Sequence, residues 1–176
     1  MTSAIVASLA TSFLCLVFAR ALLHKLGGFT EFVGTVANYR LVPWPRAVAV
    51  ALTGAELAFV VGLLLPASRQ AAAVASAALL AAYAVAIGIN LRRGRTAIDC
   101  GCGGPGQGIS PWHLARNAVL AAFALPVALI ESPALPQLAA SFVVAGGVVT
   151  LWMTFLAFEQ LLGNRLHAAA STYSAL

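Results

Sequence analysis

The amino-acid sequence predicts an all-α protein built into a membrane: a polytopic helical bundle with a four-helix core, a fifth C-terminal transmembrane helix and a short interfacial helix after the first span. Three observations carry this. Of 176 residues, 61% are hydrophobic and only 9% charged, and a soluble domain of that size leaves too much surface in water to hide so much apolar content. The apolar residues gather into runs of about 19, the length that crosses roughly 30 Å of hydrocarbon. Prolines and glycines punctuate the runs, whereas barrel strands would alternate polar and apolar over about ten residues.

The first span covers about 3–23. No basic residue precedes it, and Arg20 and Lys25 come late in it or after it, so a cleaved signal peptide is not expected. In the following connection Phe29, Phe32, Val33, Val36 and Arg40 recur at helical spacing, with Glu31, Thr35 and Asn38 between them. This is the pattern of an amphipathic helix lying in the interface, either a surface linker or a lid or docking element over a site. The second span, about 47–65, is preceded by Pro43 and Pro45 and ended by Pro66. The third, about 71–91, is alanine-rich and reads as a small-residue packing face. Ser110, Pro111 and Trp112 open the fourth, about 112–130, as N-cap, first helical residue and interfacial aromatic. Pro133 and Pro136 mark the turn into the fifth, about 135–158. The whole chain, 1–176, reads as one integral membrane domain without internal repeats.

Serial crossing puts the end of the first span, the start of the second, the end of the third and the start of the fourth on one face. That face collects Arg20, His24, Lys25, Arg40, Arg46, Arg92, Arg93, Arg95, His113 and Arg116, together with two cysteines; the opposite loops hold Arg69 and Glu131. The net charge of +5 is therefore spread between apolar runs, and no basic groove or arm for nucleic acid is present. Taken alone, the positive-inside rule places the basic face in the cytoplasm.

The loop at 92–111 holds the chemistry. Asp99-Cys100-Gly101-Cys102-Gly103-Gly104 sets two thiols two residues apart in a backbone that Gly106 and Gly108 leave almost unrestricted. A disulfide across one intervening residue closes a small ring and reduces easily, which favours exchange over stapling. Arg92, Arg93 and Arg95 lie near in sequence and favour a thiolate, the form that attacks disulfides, while Asp99 opposes it. Cys100 and Cys102 are the candidate catalytic pair, with either as the attacking thiol. Arg95 and Arg116 are assigned to thiolate stabilisation and His113 to proton transfer.

His113, Arg116 and Asn117 form a polar stripe at i, i+3 and i+4 of an apolar helix. Such a stripe turns toward protein, a cavity or a cofactor, although His113 by itself equally fits a headgroup contact. Glu56, inside the second span, needs a partner or a proton. Arg20 and Arg116 are its candidate partners, and its role is a helix-locking hydrogen bond or proton handling. Cys15, inside the first span, reads as a small core residue.

Lys25-Leu26, the segment Asn38-Tyr39-Arg40-Leu41-Val42-Pro43, Glu56, Gly94-Arg95 leading to Asp99-Cys100-Gly101-Cys102-Gly103, Ile109-Ser110 and Arg116-Asn117 occur in an order and spacing that resemble the MauE family of methylamine-utilisation proteins, within the wider MauE/DoxX-like redox-associated membrane proteins. The resemblance runs through the fourth helix, with Gly103-Gly104 standing where many relatives have an aromatic and a glycine. It implies a bacterial inner-membrane protein whose thiol pair faces the periplasm, against the charge count. It also implies action with the thioredoxin-like protein MauD in maturing the methylamine dehydrogenase small subunit, which carries many disulfides and the tryptophan tryptophylquinone cofactor. Such an assignment suits an oxidising compartment. A further likeness, to the quinone-linked disulfide-forming membrane proteins, implies a membrane quinone as electron acceptor, for which the sequence identifies no pocket residues. Lys25, Arg95, Asp99, His113, Arg116, Asn117 and Glu56 are the supporting site residues on this reading.

Three other readings stand beside it. A non-catalytic scaffold would recruit the thioredoxin-like partner and its substrate around a static bridge. A metal site of Asp99, Cys100, Cys102 and His113 matches no strong finger spacing, so no metal is expected. A transporter would use Glu56 for protons, thin support for five spans.

Overall fold

A computed structural model of the chain describes residues 2–101, 108–130 and 138–173. These form six helices: α1 (Thr2–Gly27), α2 (Phe29–Tyr39), α3 (Pro45–Leu64), α4 (Arg69–Arg92), α5 (Pro111–Leu129) and α6 (Leu138–Tyr173). Five are long and apolar enough to cross a membrane, all but the short α2. The expected multi-pass helical bundle is therefore observed, with no strand among the described residues. In lipid every backbone donor and acceptor must be satisfied within the protein, and a helix does this within its own segment.

The expected spans lie inside these helices apart from their last residues, as at Leu65 and Ile130, and the fifth. The expected start of the fifth span at about 135 and the turn at Pro133 and Pro136 lie outside the described residues, and the apolar part of α6 continues to Leu161, beyond the expected end at Phe158. Pro45 takes the first turn of α3, and Ser110 and Pro111 open α5, as read from the sequence.

Helices α1, α3, α4 and α5 pack in a ring, with α6 against the outside of α1 and α2 against α3. Phe13 of α1 meets Phe123 of α5 at 4.9 Å and Phe155 of α6 edge-on at 6.0 Å, and Phe18 meets Phe59 of α3 at 5.6 Å. Small residues let the backbones close. A Cβ on Gly62 would lie 2.8 Å from that of Ala72, so α3 and α4 touch there without side chains between them. Ala72, Ala73 and Ser76 are buried on the same face of α4, the packing face expected of its alanine run.

The bundle is apolar outside and partly polar inside. Leu57, Val61, Val85, Val119, Leu125 and Val149 are exposed, whereas Lys25, Glu56, Asn90, His113, Arg116, Asn117 and Glu159 are buried. Only a lipid surround makes that distribution favourable. Trp44 and Trp112, exposed at the starts of α3 and α5, mark the interface on the face that carries the cysteine loop.

Candidate functional site

The stems of the loop after α4 are held together. Ile109 donates its N–H to the carbonyl of Ile98 at 2.9 Å, and Asp99 and Gly108 form an isolated bridge. The Asp99 carboxylate accepts the Gly101 N–H at 3.0 Å, so it shapes the turn at the thiol. Gly101 has φ +73°, and a Cβ there would lie 3.3 Å from Phe32 and Thr35. Glycine is required twice over, by backbone conformation and by the closeness of α2.

Cys100 is half-buried under α2. Arg116 Nη2 donates to its Sγ at 3.3 Å, while Nη1 of the same guanidinium donates to Glu159 Oε1 of α6 at 2.9 Å. The fifth helix thus delivers an arginine to the thiol, and the last helix holds that arginine from behind. Cys102 lies outside the described residues. Cys15 is a packing residue of α1, its Sγ 4.0 Å from the Val60 carbonyl.

Lys25 and Glu56 are each 1% exposed and form an ion pair between the end of α1 and the middle of α3. The Tyr83 hydroxyl of α4 donates to the same carboxylate at 2.9 Å. Glu56 therefore pairs with Lys25 and Tyr83, whereas the sequence pointed to Arg20 and Arg116. Arg116 is engaged by Glu159, and the Arg20 guanidinium lies 5.9 Å from the centre of the Phe155 ring. The long apolar stem of Lys25 lets an ammonium from the end of a span reach inward. The Lys25 ammonium also stands 5.0 Å and 5.6 Å from the ring centres of Phe32 and Tyr83.

Arg95 reaches the end of α2. Its guanidinium donates to the carbonyls of Asn38 at 2.8 Å and Tyr39 at 3.4 Å and to Asn90 Oδ1 at 3.1 Å. It clamps the carboxyl end of α2 to α4, satisfying carbonyls that a helix end leaves open. Arg92 and Arg93 are exposed at the end of α4. His113 is buried, which excludes a headgroup contact, and its Nδ1 accepts the Ser110 N–H at 3.0 Å in a reciprocal capping box. Asn117 is 2% exposed, and its Nδ2 has no hydrogen-bond partner among the described residues. It faces a cavity of about 30 Å3 shared with Arg20, Glu56, Tyr83 and Arg116. That volume and those groups suit one or two ordered waters. Among the described residues no three His, Cys, Asp or Glu side chains gather as a metal site.

A second, larger cavity of about 280 Å3 lies between α2, α3 and α4. Phe32, Tyr39, Leu52, Tyr83 and Ala86 line it, and Cys100 stands in its wall. Helix α2 thus supplies one wall of a cavity that Cys100 also lines.

Two functional candidates escaped the sequence reading. Tyr83 carried a signal, because a phenol inside an apolar span needs a partner for its hydroxyl. Glu159 stood one residue past the expected end of the fifth span, on the face that serial crossing shares with Arg116.

Comparison with known proteins agrees with the pattern of residues. The family profile described as "Methylamine utilisation protein MauE" matches residues 3–130. The protein named methylamine utilization protein MauE from Paracoccus versutus is 48% identical over 129 residues, which cover 71% of this chain and 69% of that one. Its namesake from Paracoccus denitrificans is 45% identical over 128 residues, covering 70% and 69%. That from Methylorubrum extorquens is 41% identical over 152 residues, covering 81% of each. No solved structure matches the chain.

Proposed function

The chain belongs to the MauE family of methylamine-utilisation membrane proteins, and from that membership we propose that it is a thiol–disulfide redox protein acting with the thioredoxin-like MauD. In this reading it supports disulfide formation in the methylamine dehydrogenase small subunit and maturation of its tryptophan tryptophylquinone. It sits in the bacterial inner membrane with the Cys100 loop toward the periplasm. The single observation that carries the proposal is the Arg116 guanidinium donating to Cys100 Sγ at 3.3 Å. A cation on a sulfur stabilises thiolate, whether that thiolate attacks or departs.

The exchange runs as follows. A thiolate of the reduced partner attacks Cys102 of the Cys100–Cys102 disulfide, and Cys100 leaves as a thiolate held by Arg116. The partner's second thiolate then attacks the mixed disulfide, so the partner is oxidised and the Cys100/Cys102 pair is left as a dithiol. The partner goes on to oxidise the dehydrogenase subunit. The dithiol returns its electron pair and two protons to a membrane acceptor.

Replacing the partner's second cysteine by serine removes the resolving thiolate and should trap Cys102 in a mixed disulfide with the partner, with Cys100 released as a thiol. The test is the Cys100→Ser/Cys102→Ser variant, followed by the yield of mature dehydrogenase. Unchanged maturation in that variant would sink the proposal and leave the bundle a scaffold. Orientation is read with a membrane-impermeant maleimide on intact spheroplasts. Labelling of the reduced thiols only after lysis would place the loop in the cytoplasm instead.

A further inference from the structure

We propose that the small cavity enclosed by α1, α3, α4 and α5 binds one monovalent inorganic anion of halide size, which competes with the Cys100 thiolate for Arg116. The site itself rests on buried charge, and its effect on Cys100 rests on the thiol-redox reading. Three observations converge on it. Asn117 is 2% exposed and lines the cavity, and its Nδ2 has no hydrogen-bond partner among the described residues. A buried amide donor left unmatched is costly, so an acceptor belongs beside it. Arg20 lines the same cavity from α1, roughly 10 Å inside the Gly27 end of that helix. It enters neither ion pair among the described residues, and its guanidinium stands 5.9 Å from the centre of the Phe155 ring. A cation at that depth in a membrane protein calls for a counter-charge.

The third observation is the balance of charge. Arg20, Lys25 and Arg116 bring three cations to the cavity and its two ion pairs, and Glu56 and Glu159 bring two carboxylates. Tyr83, the polar group from α4, is neutral. Asp99 is in the loop on the Gly101 N–H and does not line the cavity. One positive charge is therefore left over whenever Cys100 is a thiol or part of a disulfide.

The cavity selects among ligands. Two lining guanidiniums exclude a cation, and water would satisfy Asn117 but not the excess charge. The volume of about 30 Å3 is the share of one liquid water, too small for phosphate, sulfate or an organic carboxylate. A halide is a sphere little larger than water and accepts N–H donors from any direction. Glu56 in the wall does not repel it, because Lys25 matches that charge and Tyr83 donates to the same carboxylate.

When Cys100 ionises, its thiolate supplies the missing negative charge through Arg116, 3.3 Å away, and the cluster is neutral without a halide. Thiolate and halide are thus alternatives, and each weakens the other by the same factor. No covalent bond changes. Coupling of this kind typically amounts to about 5- to 150-fold in the thiolate population. The greater nucleophilicity of the more basic thiolate leaves about a 2- to 15-fold fall in its reaction rate.

The test uses the purified full chain in detergent as the Cys15→Ser/Cys102→Ser variant, alkylated by a maleimide near neutral pH. Ionic strength is fixed while chloride replaces gluconate. Chloride should slow alkylation saturably by about 2- to 15-fold, and its NMR line should broaden with the protein and sharpen again when bromide is added. Adding Arg20→Gln should abolish both effects while the helical circular-dichroism signal is kept. Asn117→Leu, from α5, gives the same readouts if the first variant fails to fold. A rate and linewidth indifferent to chloride would mean water only and overturn the inference. Equal slowing by sulfate, or a full chloride response in the folded Arg20→Gln and Asn117→Leu proteins, would overturn it as well. These readouts involve no partner, so their failure leaves exchange with MauD to the Cys100→Ser/Cys102→Ser maturation test. Failure of that test in turn leaves the chloride linewidth to report on the anion site.

Discussion

Removing the charge that Arg116 brings to Cys100 should slow the thiol in a calculable way. The guanidinium is divided between Cys100 Sγ at 3.3 Å and Glu159 at 2.9 Å. Replacing Arg116 alone would strand a buried carboxylate, a loss of about 3–5 kcal/mol that could unfold the site before its chemistry is read. The informative variant is Arg116→Gln with Glu159→Gln, which keeps both shapes and discharges both groups. A hydrogen bond involving a charged group contributes about 1.5–3 kcal/mol, so its loss lowers the thiolate population about 10- to 150-fold where the thiol is mostly protonated. The more basic thiolate is also the better nucleophile, with a Brønsted coefficient near 0.45, which offsets part of the loss. The net fall in rate is about 4- to 15-fold. The assay is iodoacetamide alkylation near neutral pH in a Cys15→Ser/Cys102→Ser background, where Cys100 is the remaining one of three cysteines. Glu159→Gln alone returns the guanidinium to the sulfur and should raise the rate. An unchanged rate in a double variant with native circular dichroism refutes the reasoning.

The Lys25–Glu56 pair should behave as a coupled unit in thermal unfolding in detergent. Lys25→Met alone strands the carboxylate and destabilises by about 3–5 kcal/mol, and adding Glu56→Leu should recover most of this; additive losses would show the pair is not coupled. Gly101→Ala forces a side chain into a left-handed conformation against Phe32 and Thr35. It should cost about 1–2 kcal/mol locally, read as faster hydrogen exchange around 98–101, and native protection there would disprove the close approach. Arg95→Ala removes the clamp on the end of α2, so amide exchange over 29–39 should rise while the spans stay protected. Equal protection of α2 would mean that its apolar face alone holds it down.

The spans were legible because lipid imposes a length, and α2 because its apolar residues keep helical spacing. The polar stripe of His113, Arg116 and Asn117 was legible for the same reason, since three polar residues on one face of an apolar helix announce a protein-facing side. Pairing was another matter. Sequence depth suggests Arg20 and Arg116 for Glu56, but depth is counted at the backbone, and the ammonium of Lys25 sits several bonds away from its own. Nearness along the chain suggests Arg95 as a charge for the thiols, and it gives no sign that the same guanidinium donates to the open carbonyls at the end of α2. The cavity was invisible, being formed by residues from three helices and two connecting segments, none unusual by itself.

The two buried ion pairs bear on what kind of protein this is. Lys25–Glu56–Tyr83 and Arg116–Glu159 meet at the small cavity that Glu56, Tyr83 and Arg116 share, and Arg116 reaches Cys100 from there. Burying such pairs in a bundle is rarely the most stable choice, and apolar residues of equal size commonly do as well or better. A scaffold that only recruits partners has no use for charges held below its surface, whereas a thiol that must ionise and pass on electrons depends on them. The folded Lys25→Met/Glu56→Leu protein separates the two. A scaffold with those substitutions keeps dehydrogenase maturation, because its helices and exposed loop are intact. A redox centre loses much of it while still binding MauD, since the field and the Tyr83 hydrogen bond beneath the cavity are gone. Full maturation by a stable Lys25→Met/Glu56→Leu variant would return the argument to the scaffold.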